Sequence, residues 1–447
     1  MLNSAFKEIS VNKIFGFFLV FLMFTHCSLD TKSGFWTKNK TIQKEKNLKE
    51  KKVIELFKEP KTLEKEFNSN VKIRLNSKPK NNSFVNNFDN NNGRVNYDGE
   101  LKSVSRFKYS KIENFEQYEP DLIFDKDNII FFDNKGSILK FNNFSKLIWK
   151  KNFYNKRERK KKPFLFFANN SKTLIVADTI AKFYAINIAT GDLLWSKNNA
   201  APFNSQIKIY KDKFFVVDFE NILRCFSINN GNEIWNFKTD KSTIKSQKKL
   251  SVVFINGKVY FSNSIGDISA VDIETGNLIW QTPTQTSNIY EGSFFLKTSD
   301  LIADSNTILF SNNNNEFFSL DILYGSINWK QNINSTLRPT LIDQLIFTIT
   351  MEGFLVVIDN NNGNIIRITN IFARFNKKKR SKIKPEGFIV GNKNIYLTTS
   401  NGRLFIINIL SGKTEEILKI DRERISRPFV LNQNLFIIKN NAIIKLK

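Results

Sequence analysis

Ala270-Val-Asp-Ile-Glu-Thr-Gly-Asn-Leu-Ile-Trp280 reads as the end of one strand, a turn closed by glycine, and the start of a second strand ending on a large aromatic. Relatives of this stretch lie on both sides of it. Counting back from each tryptophan gives Ser145 to Trp149, Gly191 to Trp195, Gly231 to Trp235, Gly276 to Trp280 and Gly325 to Trp329, followed by two degenerate copies, Gly363 to Arg367 and Gly412 to Glu416. Successive copies end 46, 40, 45, 49, 38 and 49 residues apart, close to the ~40 to 50 residues of a four-stranded propeller blade. The second copy shows the unit: residues 163–168, 172–177, 182–187 and 192–197 are short runs rich in Phe, Ile, Val, Leu and Tyr, separated by turn residues. An eighth unit is implied at the seam, because residues 427–432, 434–440 and 442–447 supply three strands and the alternating segment 101–109 can supply the fourth. The expected fold is all-β, an eight-bladed β-propeller over residues 100–447 closed by an N-terminal strand, which removes the free sheet edge of an open stack.

Within the unit, glycine provides the positive φ of a tight hairpin. Blades are wedges, so the gap between neighbours widens outward, and Trp149, Trp195, Trp235, Trp280 and Trp329 are expected to fill it. Arg367 and Glu416 stand at the same position in the sixth and seventh units. Those blades are therefore expected to open more easily.

Composition removes most enzyme classes. The chain has one histidine, His26, and two cysteines, Cys27 and Cys225, so His-based triads and Cys/His zinc sites lack raw material. Cys225 lies in the alternation Ile222 to Phe226 and reads as a buried small hydrophobe without a disulfide partner. No catalytic residue, metal site or cofactor is assigned.

Lys7 and Lys13 precede an apolar run from Ile14 to Phe24, then Thr25, His26 and Cys27. That layout is a secretory signal peptide over 1–26, its apolar core being too short to span a bilayer. A cysteine directly after the run resembles the lipobox of bacterial lipoproteins, which makes Cys27 the acylated mature N-terminus. His26 and Phe24 depart from the residues usual there. Residues 27–99 are charged and Asn-rich, and read as a tether, with an amphipathic helix within 43–67 broken near Pro60.

The motif at 270–280 and its relatives resemble the repeats of pyrroloquinoline-quinone-type propellers. Within them, the lipoprotein signal, eight units, weakened sixth and seventh tryptophans and closing strand resemble the outer-membrane assembly lipoproteins. That resemblance implies a non-catalytic subunit of the β-barrel assembly machinery, monomeric within a hetero-complex, lipid-anchored at the periplasmic face of the outer membrane, and docked on the periplasmic domains of the central barrel subunit. It places the docking surface on the loops 238–249 and 281–299, with Ile244, Lys245 and Asp300 at or near partner-binding positions. The same repeats occur in quinone-dependent dehydrogenases. Their usual vicinal disulfide needs two thiols, and with Cys27 acylated the mature chain would hold one, Cys225.

The net charge of +26 fits an anionic partner or a compositional bias equally, and an exported location argues against nucleic acid. Two basic loops stand out, Lys156-Arg157-Glu158-Arg159-Lys160-Lys161-Lys162 and Lys377-Lys378-Lys379-Arg380 continuing to Lys384. Both join consecutive blades. In antiparallel four-stranded blades every such connection lies at one end of the ring, so the basic loops and the candidate docking loops are expected on one face.

Overall fold

A computed structural model of the chain describes residues 65–79, 91–113, 115, 119–239, 246, 248–284 and 296–447. The signal segment, Cys27, the helix expected within 43–67 as far as residue 64, and Ile244 and Lys245 lie outside the described residues.

Among the described residues, eight four-stranded antiparallel sheets follow one another along the chain. Blade 2 is Leu165–Asn169, Thr173–Asp178, Lys182–Asn187 and Leu193–Asn198. Its first three strands are almost wholly buried, and its fourth alternates between half-buried and exposed positions. That gradient from axis to rim is the packing of a propeller, with the inner three strands buried on both faces. Blade 8 is Pro428–Leu431, Asn434–Lys439 and Ala442–Leu446, with Ser103–Lys108 as its outermost strand. One apolar cluster runs unbroken across the seam: Phe107 meets Phe141 of blade 1 edge-on with ring centroids 5.8 Å apart, and Phe124 lies 5.2 Å from Phe436.

The turn before each outer strand explains the wealth of Asn and Asp. In blade 4, Asp272 Oδ1 accepts hydrogen bonds from the Glu274 and Thr275 amides at 3.0 and 2.8 Å, and the Gly276 amide donates to the Asp272 carbonyl at 2.9 Å. Asn187, Asp321 and Asp359 hold the same turn in their blades. Just after it, the third and fourth strands of blades 1 to 7 slip register by a bulge beside the tryptophan position, between Ala270 and Val271 in blade 4. A bulge bends and twists the outer strand locally, which turns the indole toward the next blade.

The tryptophans fill the outer gaps, and each meets the turn glycine of the following blade. A Cβ on Gly231, Gly276, Gly325 or Gly363 would stand 2.5 to 2.6 Å from Trp195, Trp235, Trp280 or Trp329 respectively. Glycine is needed there for close approach as well as for its φ of 68 to 74°. Three of the indoles also donate to the carbonyl just beyond the next blade's third strand: Trp195 to Ile228 at 2.7 Å, Trp280 to Ile322 at 3.3 Å and Trp329 to Asn360 at 2.9 Å.

The sixth and seventh blades differ from expectation. Arg367 is paired across the sheet from Val357, as Trp329 is from Ser319, and its guanidinium lies against Gly412 in the tryptophan's place. It is 0% exposed and donates to Ile409 at 3.0 Å, Leu410 at 2.7 Å and Val71 at 2.9 Å. Burial pulls it down to about 10, so it remains a cation at neutral pH. Glu416 is exposed, and the gap it leaves is taken by Tyr97, which is 0% exposed, packs edge-on against Tyr396 at 4.9 Å and joins the apolar cluster of Ile406, Ile437 and Leu446. Looser blades were expected because their outer gaps lacked an aromatic. Neither gap is empty.

Val71 and Tyr97 belong to the stretch expected to be an unpacked tether. The compact unit begins at Thr62, and residues 65–79 and 91–99 form a strap on the ring. Phe67 bridges Ile368 through reciprocal backbone bonds of 3.1 and 2.7 Å, the Ile73 amide donates to Leu410, and Asp343 accepts from the Asn76 amide. Further on, the Val95 amide donates to Val390, and Lys102 and Lys447 exchange backbone bonds. Ile73, Val95 and Tyr97 are buried, so these few apolar side chains provide the packing that a solvated tether would lack. The strap's partners Asp343, Asn392 and Leu410 lie on turns within blades, the end of the ring opposite the inter-blade connections.

Candidate docking face and axial vestibule

The two basic loops are built alike. Residues Lys156–Lys160 form a short helix, α1, between blades 1 and 2, and Lys377–Arg380 form α2 between blades 6 and 7. Asn155 caps α1 by accepting from the Arg157 and Glu158 amides, while Glu158 accepts from the Asn155 amide at 2.7 Å. Asn376 caps α2 by accepting from the Lys379 amide at 3.0 Å. In each, the last arginine of the pattern turns back on the preceding aromatic residue: Arg159 Nε donates to the Tyr154 carbonyl and Arg380 Nε to the Phe375 carbonyl, both at 2.8 Å. The shared signal, aromatic, Asn, two basic residues, any residue, Arg, stands at 154–159 and 375–380. It was readable in the sequence and was missed. Of the seven basic-face residues all but half-buried Arg380 are exposed, and Arg159 and Arg380 alone are tied back by their Nε, which leaves Lys156, Arg157, Lys377, Lys378 and Lys379 as available charge.

Both helices, and what is described of the loops 238–249 and 281–299, join an outermost strand to the next innermost one. Alternating strand direction puts all of them on one end of the ring. At its centre that end opens into a vestibule of about 640 Å³, lined by Lys248, Lys249, Lys297, Lys384, Glu386 and Arg424 among others. Its wall residues come from inter-blade connections and from loops between second and third strands, such as Asn313, Met351 and Ser400. Five of the thirteen lining residues are cationic, against 68 of 447 in the whole chain, so the vestibule is basic beyond the general bias.

Below the vestibule, ion pairs cross the axis. Arg427 of blade 8 donates to Asp121 of blade 1 at 2.8 Å and stands 3.9 Å from Asp300 of blade 5, while Lys249 of blade 4 reaches across to Asp121. Burial by itself would raise the Asp300 carboxyl; Lys248, Arg427, Lys249 and Arg338 outweigh it and hold it down at about 2. Asp121 is lowered in the same way by Lys249 and Arg427. From the other end the strap's Asn91 enters the axis, donating to Gln206 and Leu301 and accepting from Lys208 at 2.9 Å. Asp300, expected near a partner surface, is therefore 4% exposed and committed to the ring interior. Its polarity was visible in the sequence; the cations that neutralise it come from other blades and were not.

Chemically, these groups suit recognition. Glu386, pushed up by burial to about 7 despite Arg424, has the pKa of a general base, but Arg424 holds its Oε2 through two contacts of 2.7 Å. Cys225 lies across the sheet from Trp235, and burial raises its thiol to about 12, the character of a packing residue.

A family model described as "Outer membrane protein assembly factor BamB" matches residues 134–369, more than half of the chain. The BamB of Legionella pneumophila is 24% identical over 210 residues, covering 45% of this chain and 50% of that protein, so the chain spans half of that relative's length. In fold the chain is similar to the crystal structure of BamB from Moraxella catarrhalis, with a TM-score of 0.65 at 14% identity over 78% of this chain and 99% of that one. It is also similar in fold to the quinohemoprotein alcohol dehydrogenase of Comamonas testosteroni, with a TM-score of 0.61 at 10% identity over 79% of this chain and 78% of that one. Repeats, ring closure and the family match agree, and the chain belongs to the family of the outer membrane protein assembly factor BamB.

Proposed function

We propose that this chain is a non-catalytic scaffold of outer-membrane β-barrel assembly, held at the periplasmic face of the outer membrane by an acylated Cys27 and docked through its inter-blade face on the periplasmic domains of the central barrel subunit. The observation that carries the reading is the family match, which spans blades 1 to 6. The surface agrees with it. The available charge of α1 and α2, the vestibule and the described ends of the loop 238–249 share one end of the ring, and the strap's contacts at Asp343, Asn392 and Leu410 lie at the other. A face that concentrates positive charge steers an acidic domain toward it. Apolar side chains such as Ile244 would then supply short-range contact, since exposed ion pairs contribute only ~0 to 1 kcal/mol each.

A pull-down from detergent-solubilised envelopes tests the proposal. Recovery of a barrel-assembly subunit by the parent chain, and its loss on Ile244→Glu, is the expected result. If binding survives Ile244→Glu and charge reversal across 377–384 but is abolished by substitutions at Thr190 or Thr275, the ring docks by its other end.

One observation favours a second reading, the fold likeness to a quinohemoprotein dehydrogenase. With Cys225 buried and Cys27 the only other cysteine in the chain, the vicinal disulfide of such enzymes has no counterpart. Incubation with pyrroloquinoline quinone and calcium, followed by gel filtration, decides between the two: a retained chromophore would support the enzyme.

A further inference from the structure

We propose that the axial vestibule is a binding pocket for an acidic loop of a protein partner, in which a carboxylate of the loop enters the ring and pairs with Lys248. The inference rests on the inter-blade face being the docking face and adds the chemistry of what enters it.

The cations of the vestibule fall into two groups. Arg424, Lys249 and Arg427 are matched by Glu386, Asp121 and Asp300 within the ring. Lys248, Lys297 and Lys384 are not matched in this way. Lys297 and Lys384 are exposed at the rim. Lys248 is only 8% exposed, yet its ammonium donates to the Thr336 carbonyl and comes no closer than 4.0 Å to a carboxylate, that of Glu119. Asp300 attracts it too, but shares that attraction with Arg427, Lys249 and Arg338. Around the vestibule the described acids Glu119, Glu386, Asp121 and Asp300 are outnumbered by Lys248, Lys249, Lys297, Lys384, Arg424 and Arg427, so a nearly buried ammonium is left without a carboxylate of its own. An entering carboxylate would complete it, guided inward by the rim lysines.

The shape selects the source of that carboxylate. A volume of about 640 Å³ lies within the ~300 to 1,000 Å³ of ligand pockets, and Leu337, Met351 and Pro385 line part of it, so a loop carrying an apolar side chain beside its acid fits. Lys248 lies recessed inside the ring, where a flat membrane surface cannot reach it. Arg424, the one arginine of the lining, has its Nε and an Nη on Glu386, which leaves mainly single-point lysine contacts suited to separate carboxylates.

The probe is a fluorescein-labelled peptide of twelve residues rich in Glu with two Leu, followed by anisotropy on the full chain, with the same peptide bearing Gln in place of Glu as control. Saturable binding of the Glu peptide only is expected, weakened at least about tenfold by Lys248→Gln, as for loss of one partner of a desolvated pair. The solvent-facing double variant Lys297→Glu and Lys384→Glu, which touches no core residue, should weaken it and flatten its salt dependence. Equal binding of the Gln peptide, unchanged affinity in both variants, or complete displacement by millimolar inorganic phosphate would overturn the proposal, the last by making the site one for small anions. If the peptide fails to bind while the envelope pull-down still recovers a barrel subunit, this inference falls alone. If the peptide binds and the pull-down recovers none, the assembly reading falls and the pocket stands.

Discussion

Replacing Arg367 separates the stability of the ring from the docking of the strap. Its guanidinium is fully buried, uncompensated by any carboxylate the structure pairs with it, and bonded to the carbonyls of Val71, Ile409 and Leu410. Arg367→Ala would remove donors from three carbonyls and open a void between blades 6 and 7. The buried Ile409 carbonyl loses its donor at ~1 to 3 kcal/mol, whereas the Leu410 carbonyl keeps the Ile73 amide and Val71 is partly exposed. The void adds a packing cost offset by relief of the cation's own burial, so a net loss of about 2 to 4 kcal/mol is expected. Arg367→Trp should behave differently. An indole there can donate to Ile409 as Trp195 does to Ile228 and lie on Gly412 as Trp329 lies on Gly363, so ring stability should stay within about 1 kcal/mol of the parent or exceed it. The indole has one N–H and cannot also hold Val71. The strap should therefore loosen although the ring does not. Hydrogen exchange reads both quantities, because the Ile368 amide donates to Phe67 and the Ile73 amide to Leu410, bonds that exist only while the strap is docked. Chemical denaturation gives ring stability in parallel. Unchanged protection at Ile368 and Ile73 in Arg367→Trp, or a cost below about 1 kcal/mol for Arg367→Ala, would refute the assignment of Arg367 as a shared anchor.

Tyr97→Ala should destabilise the chain by about 3 kcal/mol or more, as for other buried aromatics, while Glu416→Ala should change stability by less than about 0.5 kcal/mol; urea titration of both is the check, and the reverse order would show that the seventh gap is not filled by the strap. Glu386 predicts a pH effect of definite sign. Its carboxyl lies near 7 in the fold against an ordinary 4.5, so the folded state keeps a proton that the unfolded state releases, and stability falls as pH rises from about 4.5 to about 7. The groups that face it are Arg424, Glu119 and Lys297. Glu386→Gln should remove this slope, standing more stable relative to the parent at pH 8 than at pH 5 by up to about 3 kcal/mol; a constant difference across that range would count against it. Finally, Cys27→Ser should release the chain from membranes or leave an uncleaved precursor, since stable anchoring takes more than one acyl chain; normal processing with full membrane retention would exclude the lipid anchor.

The blades were legible because their determinants are local. The third strand of blade 2 was placed at residues 182–187 and is found there, and its neighbours are displaced by one or two residues. The tryptophan gap and the glycine turn could be read from a spacing of four. The strap could not be read as easily, because Phe67, Ile73 and Tyr97 find their partners some three hundred residues away. A trace of it was present: Val71, Ile73 and Leu75 alternate with charged residues, and Val95 and Tyr97 repeat the period of two. Abundant asparagine drew the reading toward a tether. Asp300 failed for the same reason in reverse. A carboxylate beside a loop reads as surface until Arg427, Lys248 and Lys249 are brought to it from other blades.

The sixth and seventh repeats, which lack the tryptophan, are both crossed by the strap, and one physical relation accounts for both departures. A tryptophan closes the outer gap by itself and leaves nothing for another segment to bind. Arg367 closes it only in part, with spare donors that reach Val71, and exposed Glu416 leaves room that Tyr97 enters. Lost repeat residues here are thus binding sites for the chain's own N-terminal segment. The outer strands of blades 1 to 5 show the contrast. Leu193, Leu194, Leu278, Ile279 and Ile327 are exposed on them, whereas Ile365 and Ile366 of blade 6, beside Phe67, are half-buried. For a chain anchored through Cys27, the length of the segment before Glu66 sets how far the ring reaches from the membrane, so partner recovery should fall as that segment is shortened while peptide binding at Lys248 stays constant.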